Sequence, residues 1–284
     1  MTIYQQYDLE ALEIQYDIEA TVESVDVYRI ENTALSERQR ESGSPLIDGA
    51  YGPSHLQTLD VFPAENKAAP IIVYIHGGYW LRGDKEAYGF PAKSFNQAGA
   101  TWISVNYRLA SEVKLDEIVS DVRDALAWVF NNAGDFGADQ NRIYVVGSSA
   151  GAHLSAMIAA SNWQTDYGLP EDVIKGVALC SGLYDLEPFR HTSQKDYLNL
   201  SPTDVQQNSP VQHLPRKDLP MLVSWAGQET DEFQRQSQHF AELCKENGNS
   251  VETLFYPDHN HFSLSQEFEN AESDLVQGIL KLSG

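Results

Sequence analysis

Five uninterrupted apolar residues, Ile71-Ile-Val-Tyr-Ile75, run directly into His76-Gly77-Gly78. A strand with one wet face alternates apolar and polar residues, so an unbroken run reads as a strand covered on both faces, with helices above and below its sheet. Trp102–Val105, Ile143–Val146, Val177–Leu179 and Met221–Val223 have the same character. Between the second and third of these runs, Leu115, Ile118, Val119, Val122, Leu126 and Val129 recur at three- and four-residue steps. Glu117, Ser120, Asp121 and Asp124 take the other face, which predicts an amphipathic crossover helix. Phe233, Phe240, Leu243 and Cys244 mark another helix ending near Gly248, and Val251–Tyr256 reads as a last strand stopped by Pro257. Strands alternating with helices give the α/β class, with a mostly parallel central sheet flanked by helices.

Two regions fall outside the alternation. Residues 1–50 read as an N-terminal helical extension, with helix expected around Glu23–Arg40 and a linker at Ser42–Pro45. Residues 187–219 carry Pro188, Pro202, Pro210 and Pro215, which resist a long regular element and suggest an excursion over one face of the sheet. Either segment is a candidate cover for an active site. The whole of 1–284 is read as one domain.

Composition narrows the function classes. Nineteen Lys and Arg against 41 Asp and Glu give a net charge of −22, a field that repels phosphate backbones and anionic lipid, so nucleic acid and membrane surfaces are not expected partners. Cys180 and Cys244 stand alone, without ligand-like spacing, which fits a reducing compartment and argues against a thiolate metal site. The N-terminus lacks a basic and apolar leader, and no stretch approaches the ~18 apolar residues of a membrane span. A cytoplasmic protein acting on a small molecule is expected, with no cofactor or metal assigned and a homo-oligomer left open.

Gly147-Ser148-Ser149-Ala150-Gly151 is a G-x-S-x-G motif directly after a predicted strand and before a plausible helix. That context makes Ser149 a candidate nucleophile on a sharp turn, whose flanking glycines remove side chains that would strike the neighbouring strand and helix. His76-Gly77-Gly78-Tyr79-Trp80 follows another strand. Its glycines would let backbone N–H groups of Gly77 and Gly78, with that of Ala150, reach a developing oxyanion, while His76 reads as packed beneath the turn. Tyr79 and Trp80 are candidates for an apolar substrate wall or for simple core.

A serine hydroxyl needs a base, and the base needs a carboxylate to fix its tautomer. An α/β-hydrolase supplies them in chain order Ser, acid, His. Glu229 and Asp231 follow the strand Met221–Trp225, and His259 and His261 follow the strand Val251–Tyr256. A metal site built on Asp258, His259 and His261 is the competing reading, without a further ligand cluster or an H-E-x-x-H helix to support it.

These residues resemble the serine-dependent kynurenine formamidases (arylformamidases) and their bacterial relatives among the α/β-hydrolases, nearly over the full length. The similar pieces are Gln15-Tyr16, Tyr51-Gly52, His76 to Trp80, Asn106-Tyr-Arg-Leu109, Gly147 to Gly151, Ser181-Gly-Leu-Tyr-Asp-Leu186, Ser209-Pro210 and His261-Phe262. The resemblance implies an α/β-hydrolase fold and cleavage of an aryl formamide such as N-formylkynurenine. It also implies a triad of Ser149, Glu229 (four residues before Phe233) and His261 (before Phe262). Family members commonly carry Asp where Glu229 stands, which keeps Asp231 as a rival acid and His259 as a rival base. Ser148 stands where relatives often carry His. A carboxylesterase for short or aryl esters is the alternative function, and a non-catalytic hydrolase-like module the third.

Overall fold

Successive strand residues point to opposite faces of a sheet, and the described residues, 2–283 of a computed structural model, sort their core accordingly. Ile71, Val73 and Ile75 join one apolar cluster and Ile72 and Tyr74 the other, so both faces of the strand are covered. Eight strands form the sheet: β1 (Leu46–Ala50), β2 (Thr58–Phe62), β3 (Ala69–Ile75), β4 (Thr101–Val105), β5 (Ala138–Ser148), β6 (Ile174–Cys180), β7 (Met221–Ala226) and β8 (Val251–Tyr256). Their order is β1-β2-β4-β3-β5-β6-β7-β8. The ladders are antiparallel from β1 through β2 to β4 and parallel from β4 to β8.

Helices α1 (Leu9–Tyr16), α4 (Leu115–Asn132), α5 (Ala150–Ala159) and α9 (Asp231–Asn247) contribute to the cluster on the Ile71 side, and α3 (Ala92–Gln97) and α10 (Asp274–Leu282) to the cluster on the Ile72 side. The remaining helices are α2 (Asp26–Glu41) and the short α6 (Trp163–Tyr167), α7 (Lys195–Leu198) and α8 (Pro202–Asn208). Every strand read from the sequence is present. The predicted crossover helix is α4, and the second predicted helix is α9, closed by Gly248 at φ 105°.

The N-terminal reading requires one correction: helices occupy Leu9–Tyr16 and Asp26–Glu41, but Leu46–Ala50 is the edge strand β1, not part of a helical extension. β2 was not predicted either. Its run Thr-Leu-Asp-Val-Phe is broken by Asp60, a fully buried carboxylate that Arg40 of α2 and Lys85 neutralise, Lys85 at 3.0 Å. A buried charge needs such partners, and they come from distant parts of the chain. The 187–219 segment contains α7, α8 and two 3-10 turns, in keeping with its prolines.

Candidate active site

β5 ends at Ser148 and α5 begins at Ala150, leaving Ser149 alone on the turn at φ 56°, ψ −123°. This is a left-handed conformation that a non-glycine residue holds only when its surroundings enforce it. Ser149 N–H donates to the Cys180 carbonyl at 2.8 Å, and its own carbonyl accepts from Ala152 and His153, which ties the turn to β6 and to the first turn of α5. The motif glycines are a matter of space: a methyl on Gly151 would lie 2.0 Å from the Ile75 carbonyl oxygen, and one on Gly147 would lie 2.2 Å from that of Gly151. The Ala150 N–H opens the helix, where amide groups have no intrahelical acceptor and the helix dipole favours negative charge.

Against this turn lies the loop after β3. A methyl on Gly77 would fall 2.9 Å from Ser149 Cβ, so the Gly77 backbone touches the serine directly. His76 is buried beneath the loop, its ring stacked on Tyr107 at 4.4 Å and its Nδ1–H donating to the Gly77 carbonyl at 2.8 Å. Burial pushes its pKa down, which keeps the ring neutral. Tyr107 Oη donates to the His76 carbonyl at 2.8 Å, giving the Asn106-Tyr107-Arg108 stretch its place as the prop of the loop.

His261 and Glu229 follow the C-terminal ends of β8 and β7. The His261 Nδ1–H donates to Glu229 Oε1 at 2.5 Å, and Glu229 Oε2 accepts from the Ala226 N–H at 3.1 Å. Phe233 packs edge-on against the imidazole at 4.9 Å. Both polar side chains are buried, whereas Asp231 is exposed in the first turn of α9. His259 faces Glu267 instead, with Nε2 at 2.9 Å from Oε1, and Asp258 is exposed. The three candidate metal ligands therefore do not converge.

Ser149, His261, Gly77 and Gly78 open onto one cavity of about 490 Å³. That volume falls within the range of small-molecule sites, about 300–1,000 Å³.

Residues 59–243 match the family described as BD-FAE. The kynurenine formamidase of Salmo salar is 31% identical over 270 residues, covering 91% of this chain and 90% of its own, and that of Danio rerio is 29% identical over 297 residues, covering 100% and 99%. This chain belongs to the kynurenine formamidase family of α/β-hydrolases. Among solved structures, one from Silicibacter sp. superposes with a TM-score of 0.83 at 25% identity, covering 95% of this chain and 98% of that one. An esterase from Pyrobaculum calidifontis gives 0.71 at 23%, covering 97% and 96%. Membership makes the protein a hydrolase of the formamide or ester type. No helix among its described residues is long and apolar enough to cross a membrane.

Within this formamidase-family site, the two aromatic candidates separate. Tyr79 lines the cavity, its hydroxyl donating to the Tyr16 carbonyl at 2.7 Å. Trp80 does not line it and is corrected to core: it is fully buried, and its Nε1–H donates to His153 Nδ1 at 3.1 Å. His153 in turn donates from Nε2 to the Asn208 carbonyl at 2.7 Å, fastening the 187–219 segment to α5 and, through Trp80, to the loop after β3.

Part of the cavity wall comes from the N-terminal segment, through Ile18, Val25, Tyr28, Arg29 and Asn32. Tyr28 stacks on Phe262 at 5.9 Å and its hydroxyl accepts from Asn260 at 2.9 Å, so α2 is docked onto the histidine loop itself. None of these wall residues was read from the sequence. The available signal was the spacing Val25, Tyr28, Arg29, Asn32, one face of a helix, but that face mixes residue types and has no apolar stripe.

Proposed function

We propose that the protein hydrolyses aryl formamides of the N-formylkynurenine type with Ser149 as nucleophile, His261 as general base and Glu229 as the carboxylate that orients it. The observation that carries this reading is the 2.5 Å contact between His261 Nδ1 and Glu229 Oε1 on the cavity that also exposes Ser149. With Nδ1–H held by the carboxylate, Nε2 is the free base. It takes the Ser149 proton as Oγ attacks the formyl carbon, and the carbonyl oxygen becomes an oxyanion. Backbone N–H groups of Gly77, Gly78 and Ala150 stabilise that charge, each donor contributing ~2.7–4 kcal/mol in comparable sites. The imidazolium then protonates the departing aryl amine, leaving a formyl ester on Ser149. Water, deprotonated by His261, cleaves that ester to formate and restores the serine.

Tyr79, Tyr28, Tyr88 and Phe262 line the cavity and supply aromatic surface for the aryl group. The two buried, unpaired cysteines fit a cytoplasmic setting, and the reaction suits tryptophan breakdown. An esterase activity is the second reading, favoured by the likeness to esterase LipC of Mycobacterium tuberculosis, 32% identical over 199 residues covering 61% of this chain and 48% of that one. The same nucleophile and oxyanion donors serve either bond. The deciding experiment is formate release from N-formylkynurenine beside p-nitrophenyl acetate hydrolysis, for wild type and Ser149→Ala. Formamide cleavage that disappears in the variant supports the proposal. Ester turnover alone, still dependent on Ser149, leaves the serine mechanism and removes the formamide.

A further inference from the structure

The pair Gln15-Tyr16 stands out in the sequence, yet the proposed triad uses neither residue. The two residues end α1, where the last carbonyls of a helix have no intrahelical donor. Side chains from two loops of the site fill that need. Thr230 Oγ1 donates to the Gln15 carbonyl at 2.7 Å, and the Tyr79 hydroxyl donates to the Tyr16 carbonyl at 2.7 Å. Thr230 directly follows Glu229, and Tyr79 directly follows Gly78. Thr230 is also the N-cap of α9, but its own side chain caps nothing in that helix. The cap comes from outside, because Gln15 Oε1 accepts from the Glu232 N–H at 3.1 Å. An amide at a helix start is orphaned unless such an oxygen meets it. The Tyr16 hydroxyl extends the contact, donating to Oε2 of the buried Glu232 at 3.1 Å and accepting from Gln236 at 2.8 Å. Its ring packs 6.1 Å from that of Phe233, which lies edge-on to His261.

β3 and β7, the strands that carry the two loops, are separated in the sheet by β5 and β6, so no ladder sets one loop against the other. The end of α1 touches both. We infer that Gln15 and Tyr16 are positioning residues: by capping α9 and anchoring Tyr79, they hold the Glu229 turn and the Gly77-Gly78 loop at a fixed separation. Neither residue lines the cavity, so they act through Thr230, Glu232 and Tyr79 and not on the substrate. A site in which an acid, a base and oxyanion donors must be placed together to a fraction of an ångström gains from such a tie. The inference rests on the proposed roles of Ser149, His261 and Glu229.

The test uses full-length protein and two readouts, p-nitrophenyl acetate kinetics and hydrogen exchange of the peptide that carries residues 229–233. Gln15→Met keeps the length of the side chain but removes the oxygen that caps α9, and Gln15→Glu keeps an oxygen there. Gln15→Met is expected to lower kcat about ten- to a hundredfold with KM within about twofold, and to speed exchange of the peptide. Gln15→Glu should return both kcat and exchange to near their wild-type values. If Gln15→Met does not fold, Thr230→Val, which removes the hydroxyl on the Gln15 carbonyl, takes its place with the same expected loss. An unchanged kcat even with faster exchange, a rise in KM with kcat intact, or a loss that Gln15→Glu leaves unrepaired overturns the positioning role. Ser149→Ala is measured alongside. Ester turnover that survives in it sinks the serine reading, and the tie is then judged on exchange and its rescue alone. Turnover lost in Ser149→Ala, with kcat and exchange unmoved in Gln15→Met, sinks the tie alone.

Discussion

Glutamate carries its charge on a longer arm than aspartate, and two anchors hold that of Glu229: His261 Nδ1 on one oxygen and the Ala226 N–H on the other. In the proposed mechanism Glu229 stabilises the imidazolium and selects its tautomer, so Glu229→Gln, which keeps the shape but removes the charge, should lower kcat for p-nitrophenyl acetate by about 10³–10⁴-fold. Asp231→Asn should leave kcat within about twofold, as expected of an exposed surface change; a collapse there instead would transfer the acid to Asp231. His153 makes a second residue-scale case. Fully buried, it has its pKa pushed down from 6.5 to about 4, and it accepts from Trp80 and donates to Asn208 as one neutral tautomer. The unfolded chain takes up a proton near pH 6.5 that the native ring refuses until about pH 4. Its contribution is therefore complete above the unfolded value and is lost as pH falls through that window, on the order of 3 kcal/mol. Urea unfolding between pH 7 and pH 4.5 should show this slope, and His153→Gln should flatten it; equal slopes would place the acid sensitivity elsewhere. Ser149 and His261 were legible because each follows a readable strand, whereas His153 sits in an apolar helix and its partners are far away in sequence.

At the scale of elements, the N-terminal helix α2 supplies a wall of the cavity that Ser149 and His261 share, and its attachment is electrostatic. Arg40 and Lys85 both pair with the buried Asp60 of β2, and Lys85 also reaches Asp48 at 2.6 Å. Asp60→Asn leaves two cations without their shared partner, a change that costs about 3–5 kcal/mol when a buried pair is broken. Urea unfolding should register that loss. KM should rise more than kcat falls, because the wall is disturbed while the Ser149 and His261 elements are not. A larger effect on kcat than on KM would mean that α2 also positions the reacting groups. The parallel strands β3 to β7 were readable from their continuous apolar runs and β8 from its position before Pro257. β1 and β2 were not, since β1 alternates around Asp48 and Gly49 and β2 contains Asp60, residues whose compensation is tertiary. For the same reason α2 was expected as a helix in a segment that could cover a site, but its individual cavity residues were not.

The molecule as a whole carries 41 acidic against 19 basic side chains, so folding concentrates like charge on one compact surface. Salt shortens the reach of that repulsion to about 8 Å at physiological strength and further above it. The melting temperature should therefore rise between low-salt buffer and half-molar sodium chloride, by about 2–4 °C for each kcal/mol gained at this size. A fall would mean that ion pairs such as Arg29–Glu19 and Arg82–Glu19 outweigh the repulsion. The acidity was legible from composition alone, but which few cations face the cavity depends on the packing of α2 over the loop after β3, and no spacing in the chain announces it.

The proposed base, His261, hangs from the margin of the sheet. Among the described residues β8 has a ladder partner only in β7, and the histidine loop begins directly after it, whereas Ser149 follows the end of β5, which has neighbours on both sides. Local openings start where a strand is held from one side. Warming or mild denaturant should therefore detach the base while the inner strands and most of the far-ultraviolet signal persist, and turnover should vanish before the melting curve moves. If His261 is the base as proposed, the fraying of a single outer strand should set the working ceiling, and gluing that strand down should extend the useful temperature range without touching Ser149, His261 or Glu229.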